Sequence, residues 1–240
     1  MKILSIGNSF STDAHSFLHR LAQLNGVEME TVNLFIGGCD LETHWNNLKE
    51  NHAFYDIETN GINSTEGGSI SQALNSDVYD IITLQQASPL SGIYESTQPY
   101  LNYLTKHIRN IQPQAKIYYH QTWAYDTDSE HPGFLNYNKD QIKMYNCIRE
   151  TATHAANNID AEIIPTGDVI QLLRTTKEFD SKNGGMSLCR DGFHLSFDYG
   201  RFAASATWLR TFTDKEILCE SFDGMNNNLI KIILDTVNAI

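Results

Sequence analysis

No two of the four cysteines (Cys39, Cys147, Cys189, Cys219) form a C-x-x-C pair. That absence removes the spacing on which small zinc sites are built. An even count permits disulfides, but 240 residues with 41% hydrophobic content can build a core without covalent staples, so free thiols are expected. Long apolar runs are missing too, and nothing approaches the roughly 20 residues of a membrane-spanning helix. Met1-Lys2 leads straight into Ile3-Leu4-Ser5-Ile6, too short for the apolar core of a secretory leader and without a cleavage site. A complete chain would therefore be cytoplasmic; one whose leader has been removed would be periplasmic or secreted. Basic residues are in deficit, with 17 Lys and Arg against 29 Asp and Glu and a formal net charge of -12. This argues against nucleic acid and anionic membrane surfaces as partners, but leaves neutral polymers such as polysaccharides open. Like-charged blocks, internal repeats, low-complexity tracts and an interdomain linker are also absent, so residues 1–240 are expected to form a single domain.

What the chain does have is alternation. Short apolar runs at Ile3–Ile6, Thr31–Ile36, Tyr79–Leu84, Ala115–His120 and Ala161–Ile164 read as strands. Between and after them, His15–Leu24, Leu41–Asn51, Pro99–Ile111, Tyr137–Ala156, Phe202–Phe212 and Leu229–Val237 read as helices, with Thr12 or Asp13 able to cap the first. Repeated strand–helix units predict a three-layer α/β/α sandwich around a parallel sheet of about five strands, flavodoxin-like in order. Two stretches break the pattern. Asn51 to Ser69 is polar and Gly-rich around Thr59-Asn60-Gly61 and Glu66-Gly67-Gly68, and its Asn-Gly pair suggests a hairpin turn. Tyr125 to Gly133 is acidic and ends in Pro-Gly, as a loop over a site would.

Parallel sheets bind at the carboxyl ends of their strands, and Ser9, Gly38, Gln85 and Gln121 all fall there. Ser9, in Gly7-Asn8-Ser9-Phe10-Ser11, stands where the first strand turns into a helix, its hydroxyl exposed and its N–H free for an oxyanion. An ordinary Gly-Asn-Ser turn with a capping serine would look the same. Downstream, Asp191-Gly192-Phe193-His194 places an acid where one turn lets it hold a histidine nitrogen, leaving the other to take the serine proton. With nine histidines in the chain, a surface turn is the plainer account of that spacing alone.

Jointly, these residues resemble the SGNH (GDSL-like) hydrolase superfamily over almost the whole chain. Gly7-Asn8-Ser9-Phe10-Ser11 looks like its first block, with Asn8 where a Gly-Asp-Ser motif has aspartate. Ile36-Gly37-Gly38-Cys39 looks like the second, whose glycine offers a backbone N–H to the oxyanion hole. Asp191-Gly192-Phe193-His194 looks like the last, which carries acid and base. The third block departs: the superfamily usually has Gly-x-Asn-Asp after the third strand, whereas here Leu84-Gln85-Gln86-Ala87-Ser88 follows. With His120-Gln121-Thr122-Trp123, this combination is similar to a bacterial branch of that superfamily.

The resemblance implies a serine esterase working through an acyl-enzyme, with Ser9 as nucleophile, His194 as base, Asp191 as the acid and no cofactor. The oxyanion would be held by the N–H groups of Ser9 and Gly38 and the Gln85 amide, with Gln86 in reserve. Trp123 and Tyr125, just past the fourth strand, are placed at the substrate rim, where aromatics stack on sugar rings. His44, Trp45 and Tyr94 are weaker rim candidates. Superfamily habit favours small-molecule or glycan substrates bearing O-acetyl esters. An acyltransferase with the same triad, and a glycan-binding module that has lost efficient catalysis, are the alternatives. A metal held by Asp13, His15, Asp191 and His194 is the remaining use of these residue types, and no metal is expected. Asp198, Tyr199 and Arg201 are assigned to capping and starting the next helix.

Overall fold

The protein is described by a computed structural model covering residues 1–64 and 67–240. Its central strand, β1 (Lys2–Gly7), buries Ile3, Leu4, Ser5 and Ile6 completely. A strand covered on both faces has no polar side to show water, which is why it reads as a continuous apolar run. In chain order follow α1 (Ser9–His15), α2 (Leu18–Leu24), β2 (Glu30–Phe35), α3 (Leu41–Glu50), β3 (Asp56–Thr59), β4 (Ile62–Asn63) and α4 (Ile70–Ser76). Then come β5 (Ile81–Leu84), α5 (Tyr100–Ile111), β6 (Lys116–His120), α6 (Gln141–Asn158), β7 (Glu162–Ile164), α7 (Thr166–Leu173), α8 (Tyr199–Thr213) and α9 (Asn227–Asn238).

The sheet order is β4-β3-β2-β1-β5-β6-β7. The five strands from β2 to β7 run parallel, as expected. The sheet nevertheless has seven strands, because the Asn60-Gly61 turn folds β3 and β4 into an antiparallel hairpin along the β2 edge. Of the polar stretch that contains it, Thr65 and Glu66 lie outside the described residues. Side chains alternate across the sheet. Ile3 and Ile81 face a core shared with Phe202, Trp208 and Ile230, while Leu4, Ile6, Ile82 and Leu84 face one shared with Leu41, Leu74, Leu101 and Ala152. The first face also carries a buried polar seam, in which Thr83 Oγ1 donates to Ser5 Oγ at 2.8 Å and Ser5 Oγ lies 2.7 Å from His15 Nε2.

The first helix departs from expectation. It starts at Ser9 rather than near His15, because Asn8, extended at φ −140°, accepts the Phe10 N–H on its own side chain. Asp13 and Thr12 therefore lie inside α1 and do not cap it. A break at Ser16 and Phe17 then separates α1 from α2. Asp198 does cap α8 through the Tyr199 N–H. All four cysteines are free, and among the described residues no helix is long and apolar enough to cross a membrane.

Candidate active site

Two tight turns meet at the carboxyl end of the sheet. The first is the passage from β1 into α1. Gly7 is required there, since a Cβ would sit 2.4 Å from Ser11 Oγ. Ser9 opens α1, so its N–H has no intrahelical partner. The second turn is closed by an antiparallel bridge between Cys189 and Leu195 and by the Arg190 N–H donating to the His194 carbonyl at 2.9 Å. Gly192 turns its corner at φ +83°, where a Cβ would also meet Ser129 Cα at 2.9 Å.

These turns bring together the three residues selected from sequence. His194 Nδ1 lies 2.7 Å from Asp191 Oδ2, and His194 Nε2 lies 2.9 Å from Ser9 Oγ. Asp191 accepts only, so Nδ1 carries the proton and Nε2 is free to accept from the serine hydroxyl. The other oxygen of Asp191 takes the backbone N–H groups of His194 (2.7 Å) and Phe193 (3.2 Å). Burial pushes this carboxyl up, but the hydrogen bonds from the His194 ring and from the two N–H groups outweigh it and hold it below the usual range.

In the turn that follows β2, Gly38 is exposed in the left-handed region at φ +68°. Among the described residues, no acceptor takes the N–H of Gly38 or Ser9. Asn8 joins the two segments, its Nδ2 donating to the Cys39 carbonyl at 3.0 Å.

The glutamines do not supply the expected third donor. Gln85 is buried; its Nε2 donates to Asn8 Oδ1 and its Oε1 accepts from His120 Nδ1, both at 2.7 Å. His120 in turn reaches Thr166 Oγ1 at 3.0 Å through Nε2. Gln86 is equally committed, accepting the Leu41 and Ala87 N–H groups and donating to Ser96. The third block thus braces the Asn8 cap from behind. Gln85→Ala should leave the buried His120 Nδ1–H without an acceptor and Asn8 Oδ1 with the Phe10 N–H alone, at a cost of about 1–3 kcal/mol. Urea unfolding checks this, and an unchanged midpoint would remove the bracing role.

The aromatic rim also needs correction. Trp123 and Tyr125 are fully buried. Trp123 stacks on Phe10 with ring centres 4.1 Å apart and donates its indole N–H to the Phe193 carbonyl at 2.7 Å, tying the Ser9 segment to the histidine turn. Tyr125 bonds Ser88 Oγ at 2.7 Å. His44 is buried against Tyr55, Trp45 packs on Tyr103 and Tyr94 on His154. The ring nearest His194 is instead Phe193, tilted over it at 4.1 Å, with His131 edge-on to Phe193 at 4.7 Å. Neither was singled out from sequence, although Phe193 lies inside the motif and His131 inside the expected loop. That loop does dock on the site: the Asp126 N–H donates to the Gly192 carbonyl at 2.8 Å.

Asp13 and His15, considered as metal ligands, are otherwise engaged: Asp13 receives Arg190 and Arg201, and His15 meets Ser5. Among the described residues no group of three or more His, Cys, Asp or Glu is arranged to hold a metal.

A domain family described as of unknown function, DUF4886, matches residues 2–231. No curated protein matches the sequence. A DUF4886 family protein from Bacteroides uniformis is 37% identical and superposes with a TM-score of 0.93, over 100% of this chain and 93% of that one. A candidate SGNH hydrolase from Slackia heliotrinireducens is 19% identical, with a TM-score of 0.61 over 88% of this chain and 98% of the other. An acetylxylan esterase from Geobacillus stearothermophilus is 15% identical, with a TM-score of 0.51 over 89% and 92%. The last two share the fold.

Proposed function

The chain belongs to the DUF4886 family, and from that premise we propose that it is a serine hydrolase of carboxylic esters. One observation carries the proposal: the unbroken relay from Asp191 through His194 to Ser9, at 2.7 and 2.9 Å, on a fold shared with SGNH hydrolases. In the reaction, Ser9 Oγ attacks the ester carbonyl carbon while His194 Nε2 takes its proton. The tetrahedral oxyanion collapses, the alcohol leaves with that proton, and an acyl-Ser9 ester remains. Water, deprotonated by the same nitrogen, then releases the acid and regenerates Ser9. Asp191 keeps the ring in the productive tautomer and balances the charge of the imidazolium.

The N–H groups of Ser9 and Gly38 are the free donors offered to the oxyanion. One lost donor typically costs about 3–4 kcal/mol of transition-state stabilisation, so a two-donor cradle should make for a slower enzyme than one with three.

The substrate we favour is an O-acetyl ester on a carbohydrate. The Asp191 side chain is 41% exposed and Gly37 and Gly38 lie at the surface, so the triad sits in an open setting that suits a small acyl group on a bulky alcohol. The net charge of -12 disfavours strongly anionic polymers. Acetate release from O-acetylated xylo-oligosaccharides tests the assignment, and incubation with an acceptor sugar separates hydrolysis from acyl transfer. No acetate release, alongside turnover of a simple acetate ester, would reject the carbohydrate while keeping the chemistry. Asp191→Asn should lower kcat by about 10²- to 10⁴-fold with little change in KM, because the ring loses its tautomer control while the binding surface stays. An unchanged kcat would show that Asp191 is not the orienting acid.

A further inference from the structure

Ser9 and Asp13 lie one turn apart on α1, and so project from the same face of that helix. Ser9 meets His194. Asp13 meets both ends of the turn that carries His194. Its Oδ1 accepts from Arg190 Nη1 at 3.0 Å and from Arg201 Nε at 2.8 Å. Its Oδ2 accepts from Arg190 Nη1 at 3.2 Å and from the Leu195 N–H at 2.9 Å. Arg190 stands immediately before Asp191, and Leu195 immediately after His194. Arg190 also donates to the Leu195 carbonyl, closing the loop on itself. The Asp13 carboxylate is fully buried, whereas the two guanidinium groups are partly exposed and flank the ring of Phe197 at 4.6 and 4.7 Å.

The other bonds to this turn come from elsewhere. Trp123 holds the Phe193 carbonyl, and the Asp126 N–H holds the Gly192 carbonyl. Both hydrogen bonds fasten the tip of the turn to the segment after β6, which reaches the start of α1 only through the stacking of Trp123 on Phe10, whereas Asp13 bonds the base of the turn to α1 directly. We infer that Asp13 is a positioning residue for catalysis: it docks the base of the acid–base turn onto α1 and so fixes the Ser9 Oγ to His194 Nε2 separation. The inference rests on the triad reading above. A buried carboxylate with charge-assisted bonds resists displacement, and a misplacement of about 1 Å between reacting groups can cost about 100-fold in rate.

Asp13→Asn keeps the shape but changes the bonding. Every partner of Asp13 is a donor, so whichever way the amide turns, its NH₂ faces another N–H. The test is steady-state hydrolysis of p-nitrophenyl acetate by wild type, Asp13→Asn, Arg190→Gln and Ile233→Val, a mild core change on α9. It is joined by proton NMR of the hydrogen-bonded His194 Nδ1–H. The expected result is a kcat lowered about 10- to 100-fold in Asp13→Asn, with KM within about twofold and a smaller loss in Arg190→Gln. Ile233→Val should keep wild-type kcat despite a lower Tm, which separates positioning from stability. The Nδ1–H signal should broaden or vanish in Asp13→Asn. Wild-type kcat with an intact signal, in either folded turn variant, overturns the inference. If wild type shows no Ser9-dependent turnover, the esterase reading fails and the NMR comparison decides alone: a signal in wild type that is lost in Asp13→Asn supports docking, and one retained there or missing from wild type overturns it.

Discussion

Ser9→Ala is expected to abolish p-nitrophenyl acetate hydrolysis, lowering kcat/KM by about 10⁴- to 10⁶-fold, while leaving Tm almost unchanged. The size follows from the chemistry: without Oγ no acyl-enzyme forms, and His194 has only water to activate. The small stability effect follows from the setting. Ser9 is half-buried at the first position of α1, its hydroxyl engages only His194 among the described residues, and the helix is capped by Asn8. Losing one neutral hydrogen bond at such a place costs about 1 kcal/mol. Parallel activity and melting curves for the two proteins check both halves. Equal rates would leave the triad geometry without chemistry, and a glycan-binding screen would then come first. A large fall in Tm with modest rate loss would make Ser9 a structural residue.

The second large effect is acid destabilisation. His15, His120 and His44 are completely buried, and burial lowers their pKa from 6.5 to about 3, about 3 and about 4. At His120 the neighbouring His15 adds to the shift, and at His44 the charge of Asp40 opposes it. The sign is definite. Above pH 6.5 these rings are neutral in both folded and unfolded chains. Below it the unfolded chain takes up protons that the folded protein refuses, so the stabilisation is lost progressively from pH 6.5 towards the folded values. Each fully refusing ring costs about 1.4 kcal/mol per pH unit. The unfolding free energy from urea titrations should therefore fall steeply between pH 7 and pH 5, by several kcal/mol in total. A flat profile over that range would show that these rings accept protons in place.

The parts of this molecule that were readable from sequence are those encoded locally. The five parallel strands carry short, largely apolar runs, and the residues that meet as Ser9, Asp191 and His194 sit in short motifs. The parts that were not readable depend on partners far along the chain. Trp123 follows a strand, and from that position alone it belongs at a rim. Its burial is set by Phe10 and by the Phe193 carbonyl, from the two ends of the chain. Gln85 carries the right amide for an oxyanion, yet Asn8 on one side and His120 on the other claim both its atoms. Asp13 offered the same carboxylate to a helix cap, a metal or an arginine, and only Arg190 and Arg201 decide among them. The start of α1 is hidden for a different reason: Asn8 stands inside the Gly-Asn-Ser motif and caps the helix with the same side chain.

The sheet ends at both margins on short strands, two residues in β4 and three in β7. An open margin is a template on which another chain can add by main-chain pairing, and brevity is one of the ways natural sheets blunt it. The hairpin that places β4 outermost also covers the six-residue β2, which would otherwise offer a longer margin. The protein should accordingly resist edge-to-edge aggregation and remain dispersed at high concentration, its excess of acidic side chains adding mutual repulsion between copies.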